Sequence, residues 1–367
     1  MKITIFGLTI SSSWGNGHAT PYRAILRALH RTGHQVHFFE KDVPYYSSRR
    51  DFESCDYCKL TLYPGWTQVR ELALQTADES DVVITASYLP DGQRICDEIL
   101  ELDRPLRVFY DLDTPITLKN MKNGGVEYLR ADQIPAFDLV LSFTGGNVLQ
   151  ELEEEYGARM VRPLYGCADP EVHTRVKPSA EFACDLSYMG TFAPDRQRKL
   201  DQLFLEPARR NPASRFLLAG PLYPTHWQWP DNIRRIEHVA PEAHPRFYSS
   251  SRITLNITRE EMARNGWCPS GRFFEAAACG TPLITDWWEG LESFFDLERD
   301  LRVVTTPDEV EAALNLPYGE LLASAEHARA RTLEEHSGEM RARQLLQYFE
   351  EAQSMTHWKA AGEEVAS

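Results

Sequence analysis

The sequence lacks the features that would place the protein in a membrane or on a polyanion. Every apolar run falls short of the roughly 18 residues that a membrane-spanning helix needs. Basic residues are the minority, with 39 Lys and Arg against 54 Asp and Glu and a formal net charge of -15. Because an acidic surface repels phosphate backbones, we expect no nucleic-acid partner and no integral membrane segment, although a few basic residues can still form a local anion site.

Cysteine is scarce and irregularly spaced. The seven cysteines are an odd number scattered over 367 residues, which excludes a disulfide framework and favours a reducing compartment. Cys55 and Cys58 form a lone C-x-x-C without the second pair that a zinc site requires. Zinc or redox chemistry is therefore the minor interpretation of this pair. We expect a cytoplasmic protein that holds no metal.

Strand-like and helix-like segments alternate along the whole chain. The predicted strands lie at 3–6, 35–40, 82–85, 106–110, 139–143, 186–189, 216–219, 253–257, 283–285 and 301–304. The predicted helices include 92–102, 148–156, 196–210, 270–279 and a tail at 321–352 that is broken near 336–338. This alternation predicts parallel sheets with helices on both faces.

The length and a Pro- and charge-rich stretch at 167–181 divide the chain into two domains. We predict an α/β protein with Rossmann-like domains at 1–166 and 167–335 that face each other across a cleft. Residues 336–367 would form a C-terminal helix and tail that can cross back to the first domain. Ligands of open α/β sheets bind at the carboxyl ends of the strands. We therefore expect the site at these strand ends, between the two domains.

A glycine-containing loop follows the first strand. Its members are Gly15, Asn16, Gly17 and His18. Backbone N–H groups in such a loop can meet an anion or sugar hydroxyls on the acceptor side. A dinucleotide fingerprint with Glu40 as the ribose acid is the competing interpretation, but Gly15 lies eight residues beyond Gly7 and Thr20 takes the third glycine position. His18 can equally be a solvated or capping residue.

A second candidate follows the strand at 186–189. It combines one glycine, one hydroxyl and three cations: Gly190, Thr191, Arg196, Arg198 and Lys199. Cations at the start of a helix oppose its macrodipole, so a bound pyrophosphate explains them better than a solvated helix start does.

The segment 266–282 offers donor-binding groups within one helix. Ser270 suits the N-cap, Gly271 permits close approach, and Arg272 and Glu275 fall three residues apart on one face. A carboxylate can accept from the vicinal hydroxyls of a ribose while the cation and the helix N–H groups hold phosphates. The alternative is a surface Arg–Glu pair.

These residues carry a resemblance to a known family. The string EAAACGTP at 275–282 resembles the E-A-x-A-x-G-x-P signature of group 1 glycosyltransferases, which have the GT-B fold. PSGRFFE at 269–275 and LNITR at 255–259 are similar to the CgeB-like (spore maturation protein) branch, as are FYDLDTP at 109–115 and the Gly190 segment. The resemblance implies a nucleotide-sugar donor in the second domain, with Glu275 on its ribose and Arg272 and the cations after Gly190 on its phosphates. Members often carry E-x7-E, and here the first position is Trp267.

Glycosyl transfer chiefly demands stabilisation of the departing diphosphate, which the cations and helix N-termini can supply without a metal. The resemblance implies retention of anomeric configuration. Asp111 and Asp113 are the first candidates for a protein base, followed by His18. The aspartates can instead cap the helix after them, and their D-x-D spacing superficially matches the metal site of the other main glycosyltransferase fold.

Trp287 and Trp288 follow a predicted strand and can stack on a sugar, or they can be core residues like most tryptophans.

We therefore expect a metal-independent, retaining glycosyltransferase of the hexosyltransferase type. The donor would be a UDP-, GDP- or dTDP-linked sugar, used as a substrate with no further cofactor. The acceptor is open among protein, lipid, polysaccharide and small metabolite. Three alternatives stay open: a nucleotide-sugar epimerase, a catalytically inactive nucleotide- or sugar-binding homologue, which Trp267 makes conceivable, and least of all an NAD(P)-dependent oxidoreductase.

Overall fold

The computed structural model describes residues 1–366, with side chains through residue 355. It divides into two compact units. The first consists of Met1–Ser13, Tyr22–Tyr165 and the chain from Gly338 onward, and the second consists of Trp14–Pro21 and Gly166–Ser337.

The first unit contains a seven-stranded parallel sheet in the order β3-β2-β1-β4-β5-β6-β7. The strands are β1 (Lys2–Gly7), β2 (Gln35–Lys41), β3 (Lys59–Tyr63), β4 (Val82–Ala86), β5 (Leu106–Asp111), β6 (Leu139–Ser142) and β7 (Val161–Pro163). Every residue of β4 is buried, as expected of a central parallel strand that helices cover on both faces.

Among the described residues, seven α-helices accompany this sheet. They are α1 (Ala19–Arg31), α2 (Pro44–Ser47), α3 (Trp66–Asp78), α4 (Gly92–Leu100), α5 (Thr114–Lys122), α6 (Asn147–Glu154) and α14 (Gly338–Ala366). The apolar faces of the helices meet the sheet in a core where Phe6 stacks on Phe39 with ring centroids 5.1 Å apart. The last helix, α14, joins this unit: Glu351 pairs with Arg162 at 3.1 Å and Tyr348 donates to the Pro163 carbonyl at 3.2 Å.

The second unit contains a six-stranded parallel sheet in the order β10-β9-β8-β11-β12-β13. The strands are β8 (Cys184–Met189), β9 (Phe216–Ala219), β10 (Ile233–Ile236), β11 (Ser251–Asn256), β12 (Leu283–Thr285) and β13 (Arg302–Val303). The helices are α7 (Pro194–Leu200), α8 (Glu206–Arg210), α9 (His244–Ser249), α10 (Glu260–Asn265), α11 (Gly271–Ala278), α12 (Pro307–Leu314) and α13 (Tyr318–Glu335).

The helix predicted at 196–210 is continuous but irregular. A π-helical turn, Asp201–Leu205, separates α7 from α8 and ends two residues before Pro207. Proline has no N–H to donate, and its ring clashes with the carbonyl four residues earlier, here Leu203. The wider π turn accommodates this local defect without ending the helix.

The predicted α/β architecture of two parallel-sheet, Rossmann-like domains is confirmed. The predicted interruption near residues 336–338 is also observed, since α13 ends at Glu335 and α14 begins at Gly338. Across the described part of the chain, no helix combines the length and apolar character needed to span a membrane.

Candidate nucleotide-sugar site

The strand order of the second sheet reverses at one point, between β8 and β11. From β8 the chain continues to β9 and β10 on one side, and from β11 it continues to β12 and β13 on the other. Ligands of open α/β sheets bind outside the carboxyl ends of the strands at such a reversal. Here those ends lead to Gly190 and Thr258, and the chain after β11 continues through α10 to α11.

The start of α11 is open. Ser270 occupies the N-cap position with an extended backbone, and its side chain makes no capping hydrogen bond. A Cβ atom built on Gly271 would meet nothing within 4 Å. The first N–H groups of α11, at the positive end of the helix dipole, therefore border space that a ligand can occupy.

Arg272 stands at this helix start without an internal acceptor. Its half-buried guanidinium makes no ion pair or hydrogen bond to another described residue, and its Nε is buried and unsatisfied. A Cβ atom built on Gly17 would lie 3.6 Å from its Nη1. The surface pair with Glu275 that the sequence offered as an alternative is not formed. A buried donor without an acceptor needs an explanation, and an anionic ligand supplies one.

Two imidazoles face the carboxylate of Glu275, which is 2% exposed, and one of them, His244, hydrogen-bonds to it. His244 Nδ1 lies 3.1 Å from Glu275 Oε2, and its Nε2 faces the Val239 carbonyl oxygen at 3.2 Å. Because both of these oxygens accept, the two bonds together require a proton on each nitrogen of His244. His173 Nδ1 accepts from the Asp169 N–H at 3.0 Å, so its ring proton lies on Nε2, 3.9 Å from the same Oε2.

These contacts keep Glu275 ionised. Burial acts to raise the pKa of this carboxyl, but the hydrogen bond from His244 and the electrostatic interactions with His173, His244 and Arg272 outweigh burial and lower the pKa to about 2. Both imidazoles face Oε2. Within the described residues Oε1 makes no hydrogen bond, and it is not among the fully buried atoms without a partner. This oxygen therefore keeps some exposure and can accept from a ligand hydroxyl.

The same three side chains are the one group of His, Cys, Asp and Glu residues in the described chain with the spacing to hold a metal ion, their ligand atoms lying within 4.8 Å of one another. The hydrogen bonds argue against that use. His173 already carries its ring proton on the nitrogen that faces Glu275, so this nitrogen has no lone pair for a metal. We interpret His173 and His244 as a clamp on the Glu275 carboxylate.

Gly190 serves packing. A Cβ atom at this position would lie 2.5 Å from the hydroxyl oxygen of Tyr188, and the Gly190 N–H already donates to the Ala219 carbonyl at 2.8 Å. The guanidinium of Arg196 donates from Nη2 to the Thr191 carbonyl at 2.5 Å, while its Nε is buried without an acceptor. Arg196 is thus tied to the loop after β8 and retains donor capacity.

Lys199 has a partner inside the protein. It forms an ion pair with Asp286, which is buried at the end of β12 and accepts the Thr258 N–H at 3.0 Å. Burial raises the pKa of Asp286, while Lys199 and Thr258 act against burial. Lys199 therefore links α7 to the loops after β11 and β12. Arg198 is exposed.

The glycine loop sits differently from the expectation that assigned it to the acceptor side of the first domain. Trp14–Pro21 groups with the second unit, where Gly17 borders Arg272. Gly15 adopts a positive φ of 61°, and buried Asn16 accepts the His18 N–H at 3.1 Å, which shapes the turn. The loop backbone therefore lies on the phosphate side of the candidate site.

Trp287 and Trp288 differ in how much of the side chain is exposed. Trp287 is 55% exposed, whereas Trp288 is 1% exposed and packs on Phe294 with ring centroids 5.8 Å apart. Trp288 has no surface for a sugar, so the assignment to the sugar side is kept for Trp287 alone.

Trp267 has a positive φ of 41°. Its indole packs against Gly290, where a Cβ atom on the glycine would lie 2.4 Å from Trp267 Nε1.

Asp111 and Asp113 lie at the carboxyl end of β5 in the first unit and differ in exposure. Asp111 is buried and accepts from the Asp113 N–H at 3.0 Å and the Thr117 hydroxyl at 2.9 Å. Asp113 is half-buried, takes the N-cap position of α5 without a side-chain capping bond, and accepts from the Tyr88 hydroxyl at 2.8 Å. Asp113 is the accessible carboxylate of the pair and Asp111 supports it.

We expect the stability of the protein to fall with rising pH because of Asp111. Burial raises its pKa to about 7 from 3.8, so between these values the unfolded chain ionises while the folded protein retains the proton. This costs up to about 4 kcal/mol above pH 7. Asp111→Asn should gain stability over wild type as pH rises from 4 to 7, measured by urea unfolding, whereas exposed Asp132→Asn should not. A difference independent of pH contradicts the prediction.

Glu40 argues against the dinucleotide alternative. This carboxylate at the end of β2 is fully buried and accepts from the Thr9 hydroxyl at 2.7 Å, the Ile10 N–H at 2.9 Å and the Ser11 N–H at 3.0 Å. Its oxygens hold the loop after β1. A ribose in a dinucleotide site would need these same oxygens.

Sequence reasoning missed His173, His244 and Asp286. His173 lies in the stretch interpreted as a linker, and His244 begins the short helix α9, which has no strong periodic pattern. No local spacing connects them to Glu275. Asp286 could have been found from the sequence, because it directly follows the apolar strand predicted at 283–285. An acidic residue in that position marks the carboxyl edge of a parallel sheet.

Comparison with known proteins gives one match to a family model. Residues 196–347 match a family model described as "Glycosyl transferase-like", which covers α11 and most of the second unit. No curated protein matches the chain in sequence.

Several solved structures share the fold. Sucrose-phosphate synthase from Thermosynechococcus elongatus is 14% identical with a TM-score of 0.66, over 97% of this chain and 100% of that one. Anabaena HepE in complex with UDP and glucose is 12% identical with a TM-score of 0.66, over 96% and 100%. An alpha-glucosyltransferase in complex with UDP is 12% identical with a TM-score of 0.70, over 95% and 99%. The chain therefore has the GT-B fold.

Proposed function

We propose that the protein is a glycosyltransferase that takes a sugar from a UDP-linked donor bound to the second unit. The observation that carries the proposal is the unsatisfied guanidinium of Arg272 at the open start of α11, one turn before the ionised carboxylate of Glu275. The match of residues 196–347 to the glycosyl transferase-like family supports it.

The diphosphate of the donor would bind at the start of α11. Arg272 offers the planar donors that match phosphate oxygens, and the uncapped N–H groups of the helix add the positive end of its dipole. Arg196, Arg198 and the backbone around Gly17 extend this positive surface. Lys199 would act indirectly, by holding the loops after β11 and β12 through Asp286.

The ribose would bind to Glu275. An ionised carboxylate that receives its hydrogen bond from His244 on Oε2 can accept from a vicinal diol through Oε1. His244 and His173 fix both the charge and the orientation of that carboxylate. Discrimination should be strong against nucleotides that lack a ribose diol, because the buried acceptor would then stay unpaired.

In the transfer step the acceptor hydroxyl oxygen bonds to the anomeric carbon as the bond from that carbon to the phosphate oxygen breaks. The diphosphate leaves with the electron pair, and Arg272 with the helix N-terminus stabilises its charge. We propose retention, with the acceptor proton passing to the leaving phosphate oxygen. Asp113 would then orient the acceptor hydroxyl, and the cations would make a metal ion unnecessary.

The choice of UDP draws support from the structures that share the fold, since HepE and the alpha-glucosyltransferase were solved with UDP. We further propose a hexosyl group, with the exposed ring of Trp287 as a stacking surface. Three alpha-glucosyltransferase structures also contain DNA. The net charge of -15 argues against a DNA acceptor for this chain.

A second candidate function is a nucleotide-binding homologue without turnover. Trp267 favours it, because an indole cannot accept from a sugar hydroxyl at the position where related enzymes often have a glutamate.

The test is thermal unfolding of the full chain with UDP, GDP, dTDP, NAD and NADP, followed by a series of UDP-sugars. A ligand at 100 times its Kd adds about 2.7 kcal/mol to the free energy of unfolding, which raises Tm by several degrees. We expect UDP to produce this shift. Release of UDP from the stabilising UDP-sugar, with protein, lipid, polysaccharide and small-metabolite acceptors, then measures transfer.

Each outcome decides between the alternatives. UDP binding with transfer supports the proposal, and UDP binding without transfer to any acceptor class supports the inactive homologue. Conversion of the sugar without UDP release identifies an epimerase. A shift with NAD or NADP alone, or with no nucleotide, overturns the proposal.

A further inference from the structure

Two of the seven cysteines differ from the others in exposure. Cys55 and Cys58 are partly exposed, whereas the other five are buried, none more than 4% exposed. Thiol reagents and oxidants act on accessible cysteines, so they should react mainly with Cys55 and Cys58. The pair lies in the segment between α2 and β3 of the first unit.

The segment also brings the two sulfur atoms together. The Sγ atoms are 3.2 Å apart, and Cys55 Sγ lies 3.5 Å from the Cys58 carbonyl oxygen. Neither belongs to the one group in the described chain with the spacing to hold a metal ion, so two thiols alone are present and a four-ligand zinc site is not.

The two thiols have different acidity. The hydrogen bond from Cys58, acting against burial, lowers the pKa of Cys55 to about 6. The same hydrogen bond and burial raise the pKa of Cys58 well above its usual range. At neutral pH one sulfur is a thiolate nucleophile and its neighbour retains its proton, an arrangement suited to attack followed by resolution.

We propose that Cys55 and Cys58 form a reversible intramolecular disulfide, with Cys55 as the attacking and Cys58 as the resolving residue, and a low-molecular-weight disulfide as the oxidant. This site is separate from the proposed transferase chemistry and does not depend on it. The lone C-x-x-C is thereby assigned the redox chemistry that the sequence made the minor interpretation.

The exchange balances in two steps. The Cys55 thiolate attacks one sulfur of the small disulfide, forming a mixed disulfide and releasing one small thiolate. Cys58 then loses its proton, and its thiolate attacks Cys55 Sγ, which forms the protein disulfide and releases the second small thiolate. The protein loses two electrons and two protons, and the small disulfide gains them as two thiols.

The surrounding contacts allow the bond to form. Asp51 pairs with Arg23 of α1 at 2.6 Å and accepts the Ser13 N–H at 2.9 Å, and the Arg27 guanidinium lies 4.8 Å from the Tyr57 ring centre. These contacts are made by other residues of the segment and not by the sulfur atoms. Closing the disulfide should therefore leave the segment attached to α1.

The experiment uses the full chain incubated in mixtures of reduced and oxidised glutathione, quenched with an alkylating reagent and examined by peptide mass spectrometry. We expect a peptide that joins Cys55 to Cys58, lighter by two hydrogens and restored by dithiothreitol, with the other five cysteines unmodified in the folded protein. The rate of alkylation of Cys55 should rise with pH to a midpoint near pH 6.

Three variants make the test specific. Cys58→Ser should stop at the mixed disulfide on Cys55, and Cys55→Ser should react at least about tenfold more slowly than wild type. Cys184→Ser, at a buried thiol near Ser251, should oxidise like wild type. An unchanged Tm for each reduced variant establishes folding. Accumulation of only the mixed disulfide in wild type, or no Cys55–Cys58 disulfide at any ratio of oxidised to reduced glutathione, would overturn the proposal.

Discussion

Arg272→Ala is expected to lower kcat/KM for the UDP-sugar donor by about 100- to 1,000-fold, the usual effect of removing one preorganised donor from a developing anion. The reason lies in its surroundings. No described side chain accepts from this guanidinium, so its donors remain for the leaving diphosphate, whose charge grows in the transition state. The measurement is initial-rate UDP release at several donor concentrations.

Arg264→Ala is the matched control, because Arg264 is an exposed arginine of α10 that pairs with Glu260 at 2.9 Å and Glu261 at 3.1 Å. It should leave the kinetics unchanged. Arg272→Lys should recover part of the loss, since lysine restores the charge without the planar fork. Rates for Arg272→Ala within twofold of wild type would remove Arg272 from the phosphate site.

Glu275→Gln is expected to abolish most of the stabilisation by UDP and to lower the free energy of unfolding by about 3 to 5 kcal/mol. The carboxylate and the His244 imidazolium form a buried pair, and the amide leaves the imidazolium without its counter-charge. The amide also offers the ribose a weaker acceptor. Urea unfolding measures the loss in free energy of unfolding, and the Tm shift with UDP measures the loss of stabilisation by UDP.

Because the folded pKa of Glu275 is lowered to about 2 from 4.5, its contribution is complete above pH 4.5 and is lost as pH falls toward 2. The difference in stability between wild type and Glu275→Gln should therefore shrink over that interval. Glu320→Gln, at an exposed position of α13, is the control and should show neither effect. In the double variant with His244→Gln the two losses should be less than additive.

If Glu275→Gln unfolds at working temperature, His244→Gln alone tests the same clamp. It should weaken UDP binding while Glu275 is still present. Full binding in His244→Gln would show that His244 does not position the carboxylate.

The fold could be predicted largely from the sequence because its central strands are short runs of mostly apolar residues. β1 and β4 are such runs, and helices cover them on both faces in the structure. β3 and β10 escaped prediction because they are edge strands with exposed residues, and β10 has two arginines among its four residues. α9 was missed because six residues give too little periodicity.

The residues of the candidate site also fall into those that the sequence could identify and those that only the structure could distinguish. Ser270, Gly271, Arg272 and Glu275 were identifiable together because one helix start carries all four. Trp287 and Trp288 are neighbours in sequence, yet one is exposed and the other is core, since the fold after β12 directs consecutive side chains to different environments.

By itself, the sequence determined the alternation of strands and helices, the two parallel sheets and the grouping of candidate anion-binding residues at the start of α11, because these follow from residue types at short, regular spacing. Only the tertiary structure decided that His173 and His244 clamp Glu275, that Asp286 neutralises Lys199, and that Gly17 borders Arg272. Each of these pairs joins residues more than thirty positions apart. Their energies depend on burial and on atom-to-atom distance, which are properties of the packed chain and not of any local pattern.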